Sequence, residues 1–296
     1  MPRINANDIS IEYESQGDPS NETVLLIMGL GTQLTGWPDE FCDNLVALGY
    51  HVLRFDNRDI GLSTRFDHAR TPIIPALVAL KALRLPAPVP YRLRDMVDDA
   101  IGLLDALGID RAHVVGASMG GMIAQLMAAY YPQRTLSLTS IMSTTGNRSL
   151  PGADREATRA LMLQPDDHLD MNSVIERNVR VRKALQSLSH PKTDAEIYAT
   201  AAAAVERGGH YPQGVARQLG AIIVARDRRR LLSGIKLPAL VIHGDEDRLV
   251  KVECGMDTAQ HLPNAELSVL PGMGHDLPLH LLGVIAEQIH TTARRA

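Results

Sequence analysis

The sequence predicts an α/β fold, a mostly parallel sheet flanked by helices and broken by one inserted helical block. Three observations carry this. Short apolar runs alternate with helix-period segments, the pattern of βαβ units. The strand signal vanishes between about residues 142 and 214 and then resumes. At 296 residues the chain is near the upper size for a single core, so one large domain with an insertion fits the length.

From the N-terminus, residues 9–14 alternate in polarity like a half-buried strand. Val24-Leu25-Leu26-Ile27-Met28, closed by Gly29, suits a strand buried on both faces. A helix-like stretch at 41–48 stops at Gly49 and leads into the strand His51-Val52-Leu53-Arg54-Phe55. Residues 93–107 place Met96, Val97, Ile101, Leu104 and Leu107 at helical spacing, with Gly108 as the stop. His113-Val114-Val115 is the next strand, followed by a turn and a helix over 122–131 that ends at Pro132. Strands at 136–142, 239–242 and 267–270 and a C-terminal helix at 281–289 complete the set. The helix-prone block 145–214 is expected to cap the C-terminal edge of the sheet, leaving 1–144 and 215–296 as the core. A smaller insertion rich in Pro and Leu, 65–91, is expected to border the same opening.

Composition removes several function classes. A net charge of −4 argues against a nucleic-acid binder or a polybasic membrane protein. The basic run 226–230 precedes Leu231 and Leu232, so it is expected to be the wet face of a helix. Two cysteines, Cys42 and Cys254, make neither a disulfide framework nor a metal motif, and no metal or cofactor is expected. The N-terminus is polar, with no apolar segment of a signal peptide, and no run is long enough to span a bilayer. The expectation is a cytoplasmic protein with no membrane insertion. Oligomeric state has no signature here; a dimer is compatible with the sequence.

The sharpest motif is Gly116-Ala117-Ser118-Met119-Gly120, a G-x-S-x-G. Alone it is weak, since roughly one chain in ten of this length shows it by chance at average Gly and Ser usage. Its setting strengthens it, because it joins the Val114-Val115 strand directly to a helix. Such a turn strains the serine, and only residues as small as Gly116 and Gly120 leave room around it. A serine hydroxyl is a poor nucleophile at neutral pH and needs a base beside it. Of the eleven histidines, His113 and His243 fall in or at the ends of core strands, where a structural role is expected. His275 differs, because Pro271-Gly272-Met273-Gly274-His275 is a Gly-rich loop just after the last strand. The orienting acid is expected after a strand between the two, and Gly244-Asp245-Glu246-Asp247 supplies it. Asp247 is favoured over Asp245, for which a turn-stabilising role is expected.

These motifs, with Asp56-Asn57-Arg58-Asp59-Ile60-Gly61-Leu62-Ser63 (a D-x-R-x-x-G-x-S loop), resemble the α/β-hydrolase superfamily. The resemblance covers the whole chain except the expected cap. Met28-Gly29, Gly36-Trp37-Pro38-Asp39-Glu40-Phe41 and the 271–275 loop look most like the aclacinomycin methylesterase group, which removes a methyl ester from a polyketide antibiotic. The resemblance implies an α/β-hydrolase fold and a cofactor-free serine esterase acting on a small-molecule ester. It implies an oxyanion hole built from the backbone N–H groups of Leu30 and Met119. Many relatives have His-Gly where this chain has Met28-Gly29, which alters the pocket lining rather than the donors. Met28 and Trp37 are candidate pocket residues, although Trp37 could equally anchor its loop. Two other readings use the same triad: a C–C bond hydrolase or cofactor-free peroxidase, and a non-enzymatic small-molecule receptor. Epoxide hydrolases and dehalogenases need a carboxylate where Ser118 stands.

Overall fold

A computed structural model describes residues 1–296. Its first half runs β1 (Arg3–Ala6), β2 (Ile9–Gln16), β3 (Thr23–Ile27), α1 (Asp39–Ala47), β4 (His51–Phe55), α2 (Ile74–Ala82), α3 (Leu93–Ala106), β5 (Ala112–Ala117), α4 (Met119–Tyr130) and β6 (Thr135–Ile141). The second half runs α5 (Arg155–Leu161), α6 (Met171–Leu185), α7 (Asp194–Gly208), α8 (Pro212–Val224), α9 (Arg229–Leu232), β7 (Ala239–Gly244), α10 (Val252–His261), β8 (Ala265–Leu270) and α11 (Leu282–Ala293). No helix is long and apolar enough to cross a membrane.

The eight strands form one sheet in the order β1-β2-β4-β3-β5-β6-β7-β8. β1, β2 and β4 pair antiparallel, and every other pair is parallel. β3 and β5 are buried along their whole length, as suits mostly apolar strands covered on both faces. One apolar layer packs α3 and α4 on the sheet, around Met96, Leu104, Ile123 and Met127. The other packs α1 and α11, around Phe41, Leu45, Ile285 and Ile289.

Every strand expected from the sequence is present. Two elements add to them. β1 is a four-residue edge strand, too short for its alternation to register. α10 is polar and lies between β7 and β8. The 65–91 insertion contains α2, which packs on α8.

The block between β6 and β7 is helical, as its lack of strand signal implies. The expected division at 214/215 falls inside α8, which runs unbroken from Pro212. This helix is tied to the rest of the fold by a buried ion pair. Arg217 donates from Nε to Asp59 Oδ2 at 2.8 Å and from its terminal NH2 to Asp59 Oδ1 at 2.9 Å, while Tyr91 Oη donates to Asp59 Oδ2 at 2.7 Å.

The reading of 226–230 as a wholly wet face is corrected. Arg228 is 2% exposed. Its Nε donates to Gln125 Oε1 at 2.9 Å and its NH2 donates to the Thr144 carbonyl at 2.6 Å. Burial pulls its ionisation down to about 10. The side chain turns inward because these two buried acceptors need donors, a demand invisible in a run of like charges.

Candidate active site

β5 ends at Ala117 and α4 begins at Met119, leaving Ser118 alone to turn the chain. Its backbone sits at φ 55° and ψ −117°, a conformation that strains any L-residue. Neighbours hold it there. Ser118 N–H donates to the Ile141 carbonyl at 2.9 Å, and its own carbonyl accepts the Ser143 hydroxyl at 2.7 Å. The two elbow glycines are required sterically. A Cβ on Gly116 would lie 2.1 Å from the Gly120 carbonyl oxygen, and one on Gly120 would lie 1.9 Å from that of Ile27. The half-exposed Ser118 therefore stands at the sheet edge, at the N-terminal end of α4 where the helix dipole favours negative charge.

His275 follows β8 in the loop that begins at Pro271, and Asp247 follows β7. The structure brings them together with Ser118. His275 Nε2 lies 3.1 Å from Ser118 Oγ, and Nδ1 lies 2.7 Å from Asp247 Oδ2. With the proton on Nδ1, the Nε2 lone pair is free to accept the serine hydroxyl. Asp247 Oδ1 accepts the N–H groups of Leu249 and Val250, each at 2.8 Å, so both carboxylate oxygens are engaged. Burial alone would raise this carboxyl. The adjacent His275 charge and the hydrogen bonds from His243, His275 and Val250 outweigh it and hold Asp247 well below the usual carboxylate range.

Asp245 is not part of this chain of bonds. Its Oδ1 accepts the Gly272 N–H at 2.7 Å, bridging to the His275 loop rather than bonding its own turn. His113 bonds Ser137 Oγ at 2.9 Å inside the core, as expected for a structural histidine.

The loop after β3 comes close to the elbow. A Cβ on Gly29 would lie 3.1 Å from Ser118 Cβ, so the chain at Gly29 passes directly over the serine. Leu30 N–H has no backbone acceptor, and Met119 opens α4, where first-turn amides have no intrahelical partner. Neither amide is thus taken up by a backbone acceptor, and Met119 directly follows Ser118.

A family described as the alpha/beta hydrolase fold matches residues 22–279. The chain belongs to the α/β-hydrolase family. Rhodomycin D methylesterase DnrP of Streptomyces peucetius is 28% identical over 98% of this hydrolase and 97% of its own length. A 2-hydroxy-6-oxononadienedioate/2-hydroxy-6-oxononatrienedioate hydrolase of Burkholderia vietnamiensis is 27% identical over 90% of this chain and 85% of its own. The solved structure of a meta-cleavage product hydrolase from Pseudomonas fluorescens superposes with a TM-score of 0.76 at 20% identity, over 99% of this chain and 97% of that one.

Three features of this α/β hydrolase were not read from its sequence. His243 supports the acid: its Nε2 lies 2.7 Å from the Val250 carbonyl, which fixes the proton there, and 3.5 Å from Asp247 Oδ2. Gln218, wholly buried on α8, accepts the Gly31 N–H at 2.9 Å and donates to the Arg58 carbonyl at 2.8 Å. It thus pins the residue next to Leu30. Asn57 Nδ2 donates to the Met28 carbonyl at 3.0 Å, holding the same loop from the other side. Gln218 has no periodicity or motif to announce it, Asn57 is a variable position of the Asp56–Ser63 motif, and the structural role expected of His243 did not extend to the acid. Trp37 has no accessible surface and stacks on Phe41 with ring centroids 5.4 Å apart, so it anchors its loop in the core. Met28, 6% exposed, packs in the same layer.

Proposed function

We propose that this chain is a serine esterase that cleaves carboxylic esters through an acyl-enzyme, with Ser118 as nucleophile, His275 as base and Asp247 as the acid that orients the base. The observation that carries the reading is the continuous path Ser118 Oγ to His275 Nε2 at 3.1 Å and His275 Nδ1 to Asp247 Oδ2 at 2.7 Å. His275 takes the Ser118 proton as Oγ attacks the acyl carbonyl. The N–H groups of Leu30 and Met119 stabilise the tetrahedral oxyanion. The imidazolium then protonates the leaving alcohol, and water enters by the same base to release the acid. Asp247, held ionised, keeps the imidazole in the productive tautomer.

The rhodomycin methylesterase relatives, similar along nearly the whole chain, support a methyl ester of a bulky small-molecule acid as the substrate class. In this reading residues 145–214 act as a cap that shapes the acyl site. Two unpaired, buried cysteines fit a cytoplasmic setting. The relatives that hydrolyse carbon–carbon bonds keep a second reading open, C–C hydrolysis by the same serine. A panel of methyl and aryl esters alongside a vinylogous 1,5-diketone, run with the parent chain and Ser118→Ala, separates the two. Ester turnover that disappears in Ser118→Ala supports the esterase; turnover of the diketone alone would replace it.

A further inference from the structure

The end of α6 grips both loops that carry the base and the acid. His275 donates its backbone N–H to the Leu185 carbonyl, the last of α6, at 2.9 Å. On one side of it, Gly274 donates its N–H to Ser187 Oγ at 2.8 Å. On the other side, Asp276 Oδ1 accepts the Ser187 hydroxyl at 2.7 Å and the Ser187 N–H at 3.0 Å. Across the site, Glu246 Oε2 accepts the N–H groups of Leu188 at 2.7 Å and Ser189 at 2.9 Å, and Oε1 accepts the Ser189 hydroxyl. The fit is close as well as bonded, since a Cβ on Gly274 would lie 2.6 Å from Ser187 N. Four residues within the stretch 185–189, namely Leu185, Ser187, Leu188 and Ser189, thus bond to both neighbours of His275, to His275 itself and to the residue before Asp247.

Ser187 is the centre of this grip. It has no accessible surface, and its hydroxyl is used in both senses, donating to Asp276 and accepting from Gly274. A side chain that merely filled space would lose one bond to each neighbour of His275, to the Gly274 N–H and to Asp276 Oδ1. The Nε2–Oγ distance is a product of that backbone position, and displacements near 1 Å can cost roughly 100-fold in rate.

We propose that Ser187 is a positioning residue for His275, so that the insertion sets the placement of the base as well as the shape of the acyl site. This rests on the reading of Ser118, His275 and Asp247 as the triad. Ser187→Ala and Asp276→Ala cut the bridge from opposite ends, Asp276→Asn keeps an acceptor for Ser187, and Leu169→Ala, at a residue 91% exposed on the insertion, is the control. Each is measured for the rate of phosphonylation by a small fluorophosphonate, for kcat and KM on a small aryl ester, and for melting temperature. Ser187→Ala and Asp276→Ala should slow phosphonylation and kcat by about 10- to 100-fold while KM stays within about twofold. Asp276→Asn should recover most of the rate, and Leu169→Ala should match the parent. Folded Ser187→Ala or Asp276→Ala protein that is phosphonylated at the parent rate, even with a lower melting temperature, overturns the proposal. Should Ser187→Ala fail to fold, the two Asp276 variants make the same comparison. Failure of the triad reading looks different, because the parent itself would then not be phosphonylated at Ser118.

Discussion

Asp247→Asn tests the roles in the site with a nearly isosteric change. The outcome follows from which atoms surround the carboxylate. Oδ1 accepts two backbone N–H groups, from Leu249 and Val250, at 2.8 Å each. In the asparagine variant those donors select the carbonyl oxygen, which forces the amide NH2 toward His275 Nδ1 at the 2.7 Å position. A donor facing Nδ1 requires the imidazole proton to sit on Nε2. There it points at Ser118 Oγ and can no longer accept the hydroxyl proton. The loss should be about 10⁴ in kcat, or about 5 kcal/mol of barrier. Steady-state turnover of an aryl ester and phosphonylation of Ser118 should fall together, with little change in melting temperature because the volume and the two Oδ1 bonds remain. Asp245→Asn should do at most modest damage, since Oδ1 can still accept the exposed Gly272 N–H. If Asp247→Asn kept more than about a tenth of the parent kcat, the assignment of the orienting acid would fail.

Three further outcomes follow from buried groups. Gln218→Leu removes the pin on Gly31 and should lower kcat by about tenfold with less effect on KM, because an oxyanion donor acts in the transition state; an unchanged kcat would detach α8 from the oxyanion loop. Arg228→Ala strands Gln125 Oε1 and the Thr144 carbonyl and should cost roughly 1–3 kcal/mol, read as a melting point several degrees lower; an unchanged melting point would mean the inward arginine is not structural. Burial pushes the Cys42 thiol up to about 12 and also raises Cys254, so the thiolate is scarce near pH 8. Thiol reagents should therefore find no reactive cysteine in the native chain and two after denaturation, and rapid native modification at pH 8 would contradict the placement of both.

What the sequence reveals depends on how local the signal is. Ser118 is legible because a strand, a strained turn and a helix must be contiguous, and the missing side chains of Gly116 and Gly120 allow that turn. Asp247 and His275 are legible because each follows a strand end with a glycine to bend the loop. β1 escapes because four edge residues carry too little alternation, and α10 because its apolar face is narrow. Arg228 reads as surface because charge runs usually are, and only the distant Gln125 draws it inward. Gln218, Ser187 and Glu246 are invisible in principle, since each acts through bonds to residues 57 to 187 positions away and leaves no spacing behind.

In the proposed reaction Ser118 Oγ is the atom that attacks the ester. Treating the native chain with a fluorophosphonate and mapping the modified peptide tests it most directly. A single adduct should form on Ser118, in step with loss of esterase activity, and be absent from Ser118→Ala, which should itself have lost turnover by several orders of magnitude. An adduct on another residue, or ester turnover that survives in Ser118→Ala, would contradict it.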